Sequence, residues 1–293
     1  MTISDAKRVA RRYHSIVNPS QEEKFCYTEA LDFLISKTGD SDIMVELGAF
    51  YYEQRDFTLA LKYYEMAAEK QNLYAISNLG YIWYYGRTGE KNYEKAFFYF
   101  DTARKMGDLV AAYKVADMYK NGYFVEKDIV KYKQIIEDLY PKVKDAQYLG
   151  DPLPEVFTRL AKIRTEEGDI DTALSLYDQA RDFLSQRIQD HPFFGDLNIM
   201  KWLIQDVYQL RKFDEEAFGL YDLFYLLQQP LKVQFSFDGD EHEIESAEEE
   251  AAIAVRLDDQ WYRTIDDFFL KAELDGVQLT FLEDDLYDFR IVR

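Results

Sequence analysis

Apolar residues recur at helical intervals along most of this chain, and from Ile43 to Gly122 those intervals themselves repeat. Met44, Leu47 and Tyr51 form one stripe, Ile76, Leu79 and Trp83 the next, and Ala112, Val115 and Tyr119 a third. Second helices are read between them, with Leu59, Tyr63 and Ala67 answered by Phe98, Phe100 and Ala103. Ala75, Gly80 and Gly86 return thirty-six residues later as Ala111, Ala116 and Gly122, and Ala60, Tyr63 and Ala67 lead to Ala96, Tyr99 and Ala103 by the same step. A fixed period of this size marks stacked helical hairpins. The pattern predicts a mainly α protein, an α-α superhelical solenoid of helical hairpins over residues 1–230, with a small α+β domain over residues 231–293.

Small residues fall where two helices of a hairpin must approach. Gly48, Gly80 and Ala116 take that place on the first helices, Ala60 and Ala96 on the second. Axes pack about 8 to 10 Å apart, set by the side chains at the crossing, so a glycine there lets a facing ring fill the groove. The step from Gly48 to Gly80 is 32 residues and that from Gly80 to Ala116 is 36. The difference lies in the turns: Gln54 to Phe57 is tight, while Gly86 to Tyr93 carries four more residues. An insertion confined to a turn is expected to leave the stacking untouched.

The residues Leu79-Gly80, Tyr85-Gly86, Lys95-Ala96, Tyr99-Phe100, Ala103, Gly107-Asp108 and Ala111 at this spacing resemble the Sel1-like repeat, a longer-turned relative of the tetratricopeptide repeat. The resemblance covers residues 43–122 and fades afterwards; at Tyr132 the pattern wants an alanine. A cysteine-rich bacterial branch of that family staples each repeat with a disulfide, and the single cysteine here, Cys26, excludes it. The resemblance implies a non-catalytic, bacterial-type interaction scaffold.

Outside the repeats, residues 5–17 read as a basic amphipathic helix and Ser20 to Glu23 as a capping box opening a helix that ends near Gly39; together residues 1–40 are expected to cap the array. The third unit continues through Tyr132, Ile135, Ile136 and Leu139 and is expected to stop at Pro141, before a break at Asp151-Pro152-Leu153-Pro154. A tetratricopeptide-like unit returns with Leu160-Ala161, Ala173-Leu174, Tyr177 and Ala180. A last hairpin is read from Trp202, Leu203, Val207 and Tyr208 to Ala217, Leu220, Tyr221 and Phe224.

Beyond Pro230 the period changes to two. Val233, Phe235 and Phe237 alternate with polar residues, Asp238-Gly239 marks a hairpin turn, and His242 and Ile244 open the return strand. Residues 247–263 fit a helix capped by Ser246 or a strand through Ile253 to Leu257. Ile265 to Leu274 reads as a helix with Phe268, Phe269 and Ala272 inward, and Val277 to Phe281 with Tyr287 to Val292 as a closing hairpin around Asp284-Asp285.

Charge and chemistry narrow the function. The chain holds 35 basic and 55 acidic residues, net −20; residues 232–293 hold 18 acidic and 6 basic, net −12. Acid-rich surfaces repel nucleic acid and attract basic partners, with steering weakened by salt, and also keep a tyrosine-rich chain in solution. The basic residues of the first helix, Lys7, Arg8, Arg11 and Arg12, are read as a solvated face, so no nucleic-acid partner is expected. No apolar run is long enough to span a membrane and no leader pattern opens the chain; with one cysteine this points to the cytoplasm. Histidines stand only at 14, 191 and 242, and no phosphate loop, nucleophile elbow or cysteine pair occurs. Asp238 to Glu243 could ligate a cation, but lacks the spacing of a calcium loop and reads as a turn. Neither cofactor, metal nor catalysis is expected.

The candidate binding surface lies on the first helices, which line the concave groove in the tetratricopeptide template. Stepping from Gly80 places Tyr74, Ser77, Tyr81 and Tyr84 there, and the neighbouring units add Tyr52, Tyr113, Asp117 and Lys120. Such amphipathic aromatics suit a protein or peptide segment. Tyr81 and Tyr84 stand at the centre, off the buried stripe, so their removal is expected to leave the fold intact. The alternative is that the array hides these tyrosines against its own loops. A different function remains open, a regulatory inhibitor or immunity-type protein acting through its acidic C-terminal domain.

Overall fold

The computed structural model describes residues 1–16, 18–144, 153–190, 194–249 and 252–292. The described chain forms two compact units, Met1–Leu139 and Tyr140–Arg293. The boundary expected after Pro230 lies inside the second.

The first unit is a run of antiparallel helices: α1 (Ile3–Tyr13), α2 (Gln21–Thr38), α3 (Ser41–Glu53), α4 (Phe57–Ala68), α5 (Leu73–Tyr85), α6 (Tyr93–Lys105), α7 (Leu109–Asn121) and α8 (Ile129–Val143). An Asp or Asn precedes each helix from α3 to α7, and the side chains of Asp40, Asp56, Asn72, Asn92 and Asp108 each accept a first-turn N–H. This meets donors that a helix start cannot pair internally. Asn72 also ties neighbouring repeats, donating to Asp42 Oδ1 at 2.7 Å and Ser41 Oγ at 3.1 Å. The Ser20–Glu23 capping box opens α2, and Gly39 closes it in the left-handed region.

The crossings lie where the small residues placed them. A Cβ on Gly48 would sit 2.6 Å from the Tyr64 ring, and one on Gly80 2.5 Å from the Phe100 ring. Ala60, Ala96 and Ala116 are wholly buried, as are Leu47, Leu79 and Phe100. Two features depart from the expected stripe. Phe98 is 64% exposed, because Phe100 and Ala96 already occupy the crossing face of α6. Helix α8 continues through Pro141 to Val143, since a proline in the last turn forfeits only one terminal bond. Tyr132, where an alanine was expected, is buried.

The second unit opens with α9 (Pro154–Glu167), α10 (Ile170–Asp190) and α11 (Phe194–Leu210). The expected break at residues 151–154 lies partly outside the described residues, as does His191. No long second helix follows α11: a 3₁₀ turn (Leu220–Asp222) leads into the one-turn α12 (Leu223–Leu226). Asp222 explains this locally, since its carboxylate accepts from the Gly219 N–H at 2.9 Å and holds Gly219 extended. Trp202 is 57% exposed, while Leu203 and Ile204 face the core.

The strands are β1 (Leu231–Phe237), β2 (Asp240–Glu249), β3 (Ala252–Leu257) and β4 (Gln260–Tyr262); then come α13 (Ile265–Lys271), β5 (Glu273–Leu274), β6 (Val277–Gln278), a 3₁₀ segment (Leu279–Asp285) and β7 (Tyr287–Val292). The main sheet is antiparallel in the order β4-β3-β2-β1-β7. Residues 252–257 and 260–262 are therefore strand, resolving the helix-or-strand ambiguity. The expected hairpin between 277–281 and 287–292 does not form: β6 pairs with β5, and β7 pairs with β1. Leu279, Thr280 and Leu282 are all buried, a spacing that strand alternation cannot satisfy and a 3₁₀ turn can. Helix α13 stops at Lys271, earlier than expected, with Ala272 extended.

Val233, Phe235, Ile244, Val255 and Leu257 form the buried side of the sheet, and α13 adds Phe268 and Phe269 to the core. The Phe269 ring stacks on Phe224 at 3.8 Å, so residues on both sides of Pro230 share one core. On the other face, Lys232 and Arg256 sit among Glu243 and Glu245, with Arg256 Nη2 2.9 Å from Glu243 and 2.5 Å from Glu245. Glu243 and Glu245 are thus paired within their own sheet.

Candidate functional site

The candidate residues all belong to the first unit, on α3, α5 and α7. Their surroundings divide them. Tyr74, in the first turn of α5, is 67% exposed. Seven residues on, Tyr81 shares its face of the helix. Ser77 between them is 5% exposed, Tyr113 3% and Asp117 9%, so these three belong to the interior.

Tyr81 and Tyr84 are half-buried and packed. The Tyr81 ring meets Phe100 edge-on at 5.3 Å, and its hydroxyl lies 2.9 Å from that of Tyr113. Tyr84 meets Tyr93 at 5.8 Å, Tyr123 at 6.0 Å and Phe100 at 6.1 Å. The expectation that both rings stand apart from the core is corrected by this packing: a glycine at 80 lets Phe100 come close enough to reach them. The centre of the tyrosine strip is therefore part of the fold.

Two cations that the repeat pattern does not single out join the strip into a ladder. Lys114 of α7, 6% exposed, donates to the Tyr85 hydroxyl at 3.0 Å. Its ammonium lies 4.9 Å from the centroid of Tyr81, 5.2 Å from Tyr113, 5.3 Å from Tyr85 and 5.5 Å from Tyr84. Four ring faces and a hydroxyl replace much of the water that a buried ammonium gives up. Arg87 comes from the longer turn after α5. Its Nε donates to the Tyr52 hydroxyl at 3.0 Å, and the guanidinium stands 5.6 Å from the Tyr52 ring, 5.4 Å from Phe57 and 4.8 Å from Tyr85. Arg87 is the counterpart of Arg55 in the shorter turn and stands ahead of the four extra residues; it bridges two repeats. Burial pushes the Tyr52 hydroxyl above its ordinary pKa, against the pull of Arg87. Lys120 lies 4.9 Å from the Tyr132 ring, one hairpin further on.

The structure therefore brings Tyr52, Tyr81, Tyr84 and Tyr113 together, with Tyr85, Arg87 and Lys114 as members missed in the sequence. Tyr85, 40% exposed, and Tyr74 are the ring surfaces left on the outside. A signal for Lys114 was present, since a lysine follows Tyr113 on a stretch otherwise apolar; its cage was not, because the rings come from another repeat. Such a surface offers ring edges and hydroxyls but no activated nucleophile. Among the described residues, no cluster of three or more His, Cys, Asp or Glu could hold a metal. Asp238-Gly239 forms a two-residue turn, with φ of 49° and 89° and Phe237 paired to Asp240. Among the described residues, no helix is long and apolar enough to cross a membrane.

Comparison with known proteins places the repeats. Residues 43–72, 73–108 and 109–131 match the Sel1 repeat. No curated protein matches the chain. Among solved structures, a Sel1 repeat protein from Oxalobacter formigenes is similar over 73% of this chain and 80% of its own, with 20% identity and a TM-score of 0.52. A protective antigen of uropathogenic Escherichia coli with an SLR fold is matched over 73% of this chain and 50% of its own, at 18% identity and a TM-score of 0.47. The helical crossings and the capped hairpins agree with the family match: the chain carries three Sel1 repeats, α3–α4, α5–α6 and α7 with the start of α8.

Proposed function

We propose that this chain is a non-catalytic scaffold or adaptor whose first-helix face holds a protein or peptide segment. Sel1 repeats are generally protein-interaction scaffolds rather than enzymes. The observation that carries the reading is the division within the tyrosine ladder. Lys114, Tyr81, Tyr84 and Tyr113 make a rigid floor, and Tyr74 and Tyr85 stand exposed at its margin. Rings held in place by packing lose little entropy on binding, and their hydroxyls supply orientation. The ladder is already stabilised by its own cations, so a partner engages it from outside.

The test is capture of partners by the tagged full-length protein from its own host, compared with Tyr74→Ala and Tyr85→Ala. A prey that depends on the face should bind either variant with a loss of about 1–2 kcal/mol or more, as at interface hot spots. A prey retained equally by both variants argues that binding uses another surface.

A further inference from the structure

We propose that the open edge of β7 is a second docking surface, which takes an extended segment of a partner protein, alternating basic and apolar residues, as a sixth strand. Among the described residues β7 is paired only with β1, so one row of its backbone N–H and C=O groups has no strand beside it. An unpaired edge is a template for another strand, and natural sheets usually blunt it. Here the blunting is confined to one end. The pairing with β1 slips between Gln234 and Ser236, with Asp288 in the left-handed region at φ 56°, and beyond this bulge Arg290, Ile291 and Val292 pair regularly.

Side-chain surface accompanies the edge. Phe289 stacks on Phe235 at 5.2 Å and lies 5.9 Å from Phe218, which leads to Phe213 at 5.3 Å. Phe213, Phe218 and Phe289 are each only half-buried. Alternate apolar residues of an added strand would cover these rings, since successive side chains point to opposite faces.

At the bulge the edge runs into an open cleft of about 550 Å³ lined by Phe237, Asp238, Gly239, Asp285 and Tyr287. Two carboxylates and two aromatic rings, with no basic residue in the lining, suit an ammonium or guanidinium group. Charge also selects among occupants. Net −12 over residues 232–293 favours a basic segment, and it disfavours a second copy, which would bring the same charge to the same edge. Glu241, Glu243 and Glu245 add less to this field, because Arg290, Lys232 and Arg256 pair with them. Asp238, Asp284, Asp285 and Asp288 stand at or beside the start of β7.

The experiment uses the full chain and a short fluorescent peptide alternating lysine and valine, read by anisotropy at low and high salt. Saturable binding that weakens with salt is expected. N-methylating alternate backbone nitrogens of the peptide in one phase should weaken binding about tenfold or more, and in the other phase much less, because only one row of donors meets β7. Asp238→Asn with Asp285→Asn should weaken the parent peptide by about tenfold as well. Equal binding of the two methylated peptides overturns strand addition, and needs no variant to fold. Absence of saturable binding overturns the proposal, as does equal binding of a glutamate–valine peptide. Sedimentation showing a dimer whose formation blocks binding of the lysine–valine peptide assigns the edge to a second copy, and overturns it too.

Discussion

Helices meet in this molecule by two different means. In the Sel1 repeats they approach through missing side chains: Gly48 admits Tyr64, and Gly80 admits Phe100. In the second unit α10 is anchored by charged pairs with little exposure. Arg181 reaches Asp222 at 2.9 Å, and Arg187 reaches Asp196 at 2.6 Å and Glu155 at 2.9 Å. Ser185 donates to Glu283 on the same helix face. Packing of the first kind is local and recurs with the repeat. The second kind joins residues 9, 32, 41 and 98 positions apart, with no common interval.

That contrast can be broken most forcefully at Asp222, whose side chain is 3% exposed and which also accepts from Tyr208 at 2.6 Å. Asp222→Ala leaves the Arg181 charge without its partner and should cost about 3–5 kcal/mol in denaturant unfolding. A loss under about 1 kcal/mol would mean that surface-like screening reaches the pair. In the repeats, Gly80→Ala should cost about 1–3 kcal/mol by overpacking, since Phe100 must shift. Phe100→Leu in the same chain should recover part of it. Strict additivity of the two changes would show that the crossing does not depend on this contact.

A smaller effect separates the units by pH. Glu283 sits above its ordinary value of 4.5, chiefly through burial, with Asp284 and Asp222 acting in the same direction and Ser185 and Arg181 opposing. Its folded form holds a proton that the unfolded chain releases. That contribution is complete below 4.5 and is lost as pH rises through the folded value. The stability of the native chain should therefore fall relative to Glu283→Gln as pH rises from 4.5, measured by urea midpoints. Parallel curves would contradict the burial of a charged carboxylate there.

How much could be read from the sequence follows the same division. The crossings were legible because each needs a particular residue type at a fixed interval, and so were the capping box at Ser20, the Asp238-Gly239 turn and the inward ring pair Phe268-Phe269. The candidate site was legible only as a face. Periodicity put Tyr52, Tyr81, Tyr84 and Tyr113 in one neighbourhood, but it did not show that Tyr113 is interior and that the Tyr81 and Tyr84 rings pack on Phe100. It could not show that Arg87 and Lys114 insert between the rings, because a cation–ring contact depends on where another repeat ends. The same limit applies to β7, whose alternation fits either neighbour. Only the buried run Leu279, Thr280 and Leu282 decides that it joins β1. Trp202 and Phe98 mislead for a simpler reason: a large apolar residue one step off a crossing is left outside.

The tyrosine face has a packed floor and an exposed margin, and urea unfolding of two variants tests that division directly. Tyr81→Ala with Tyr84→Ala removes rings packed on Phe100, Tyr93 and Tyr123, and should cost about 3–5 kcal/mol. Tyr74→Ala removes a ring that is 67% exposed and should change stability by no more than about 0.5 kcal/mol. A double variant as stable as the native chain, or a Tyr74 variant as damaged as the double one, would contradict the division.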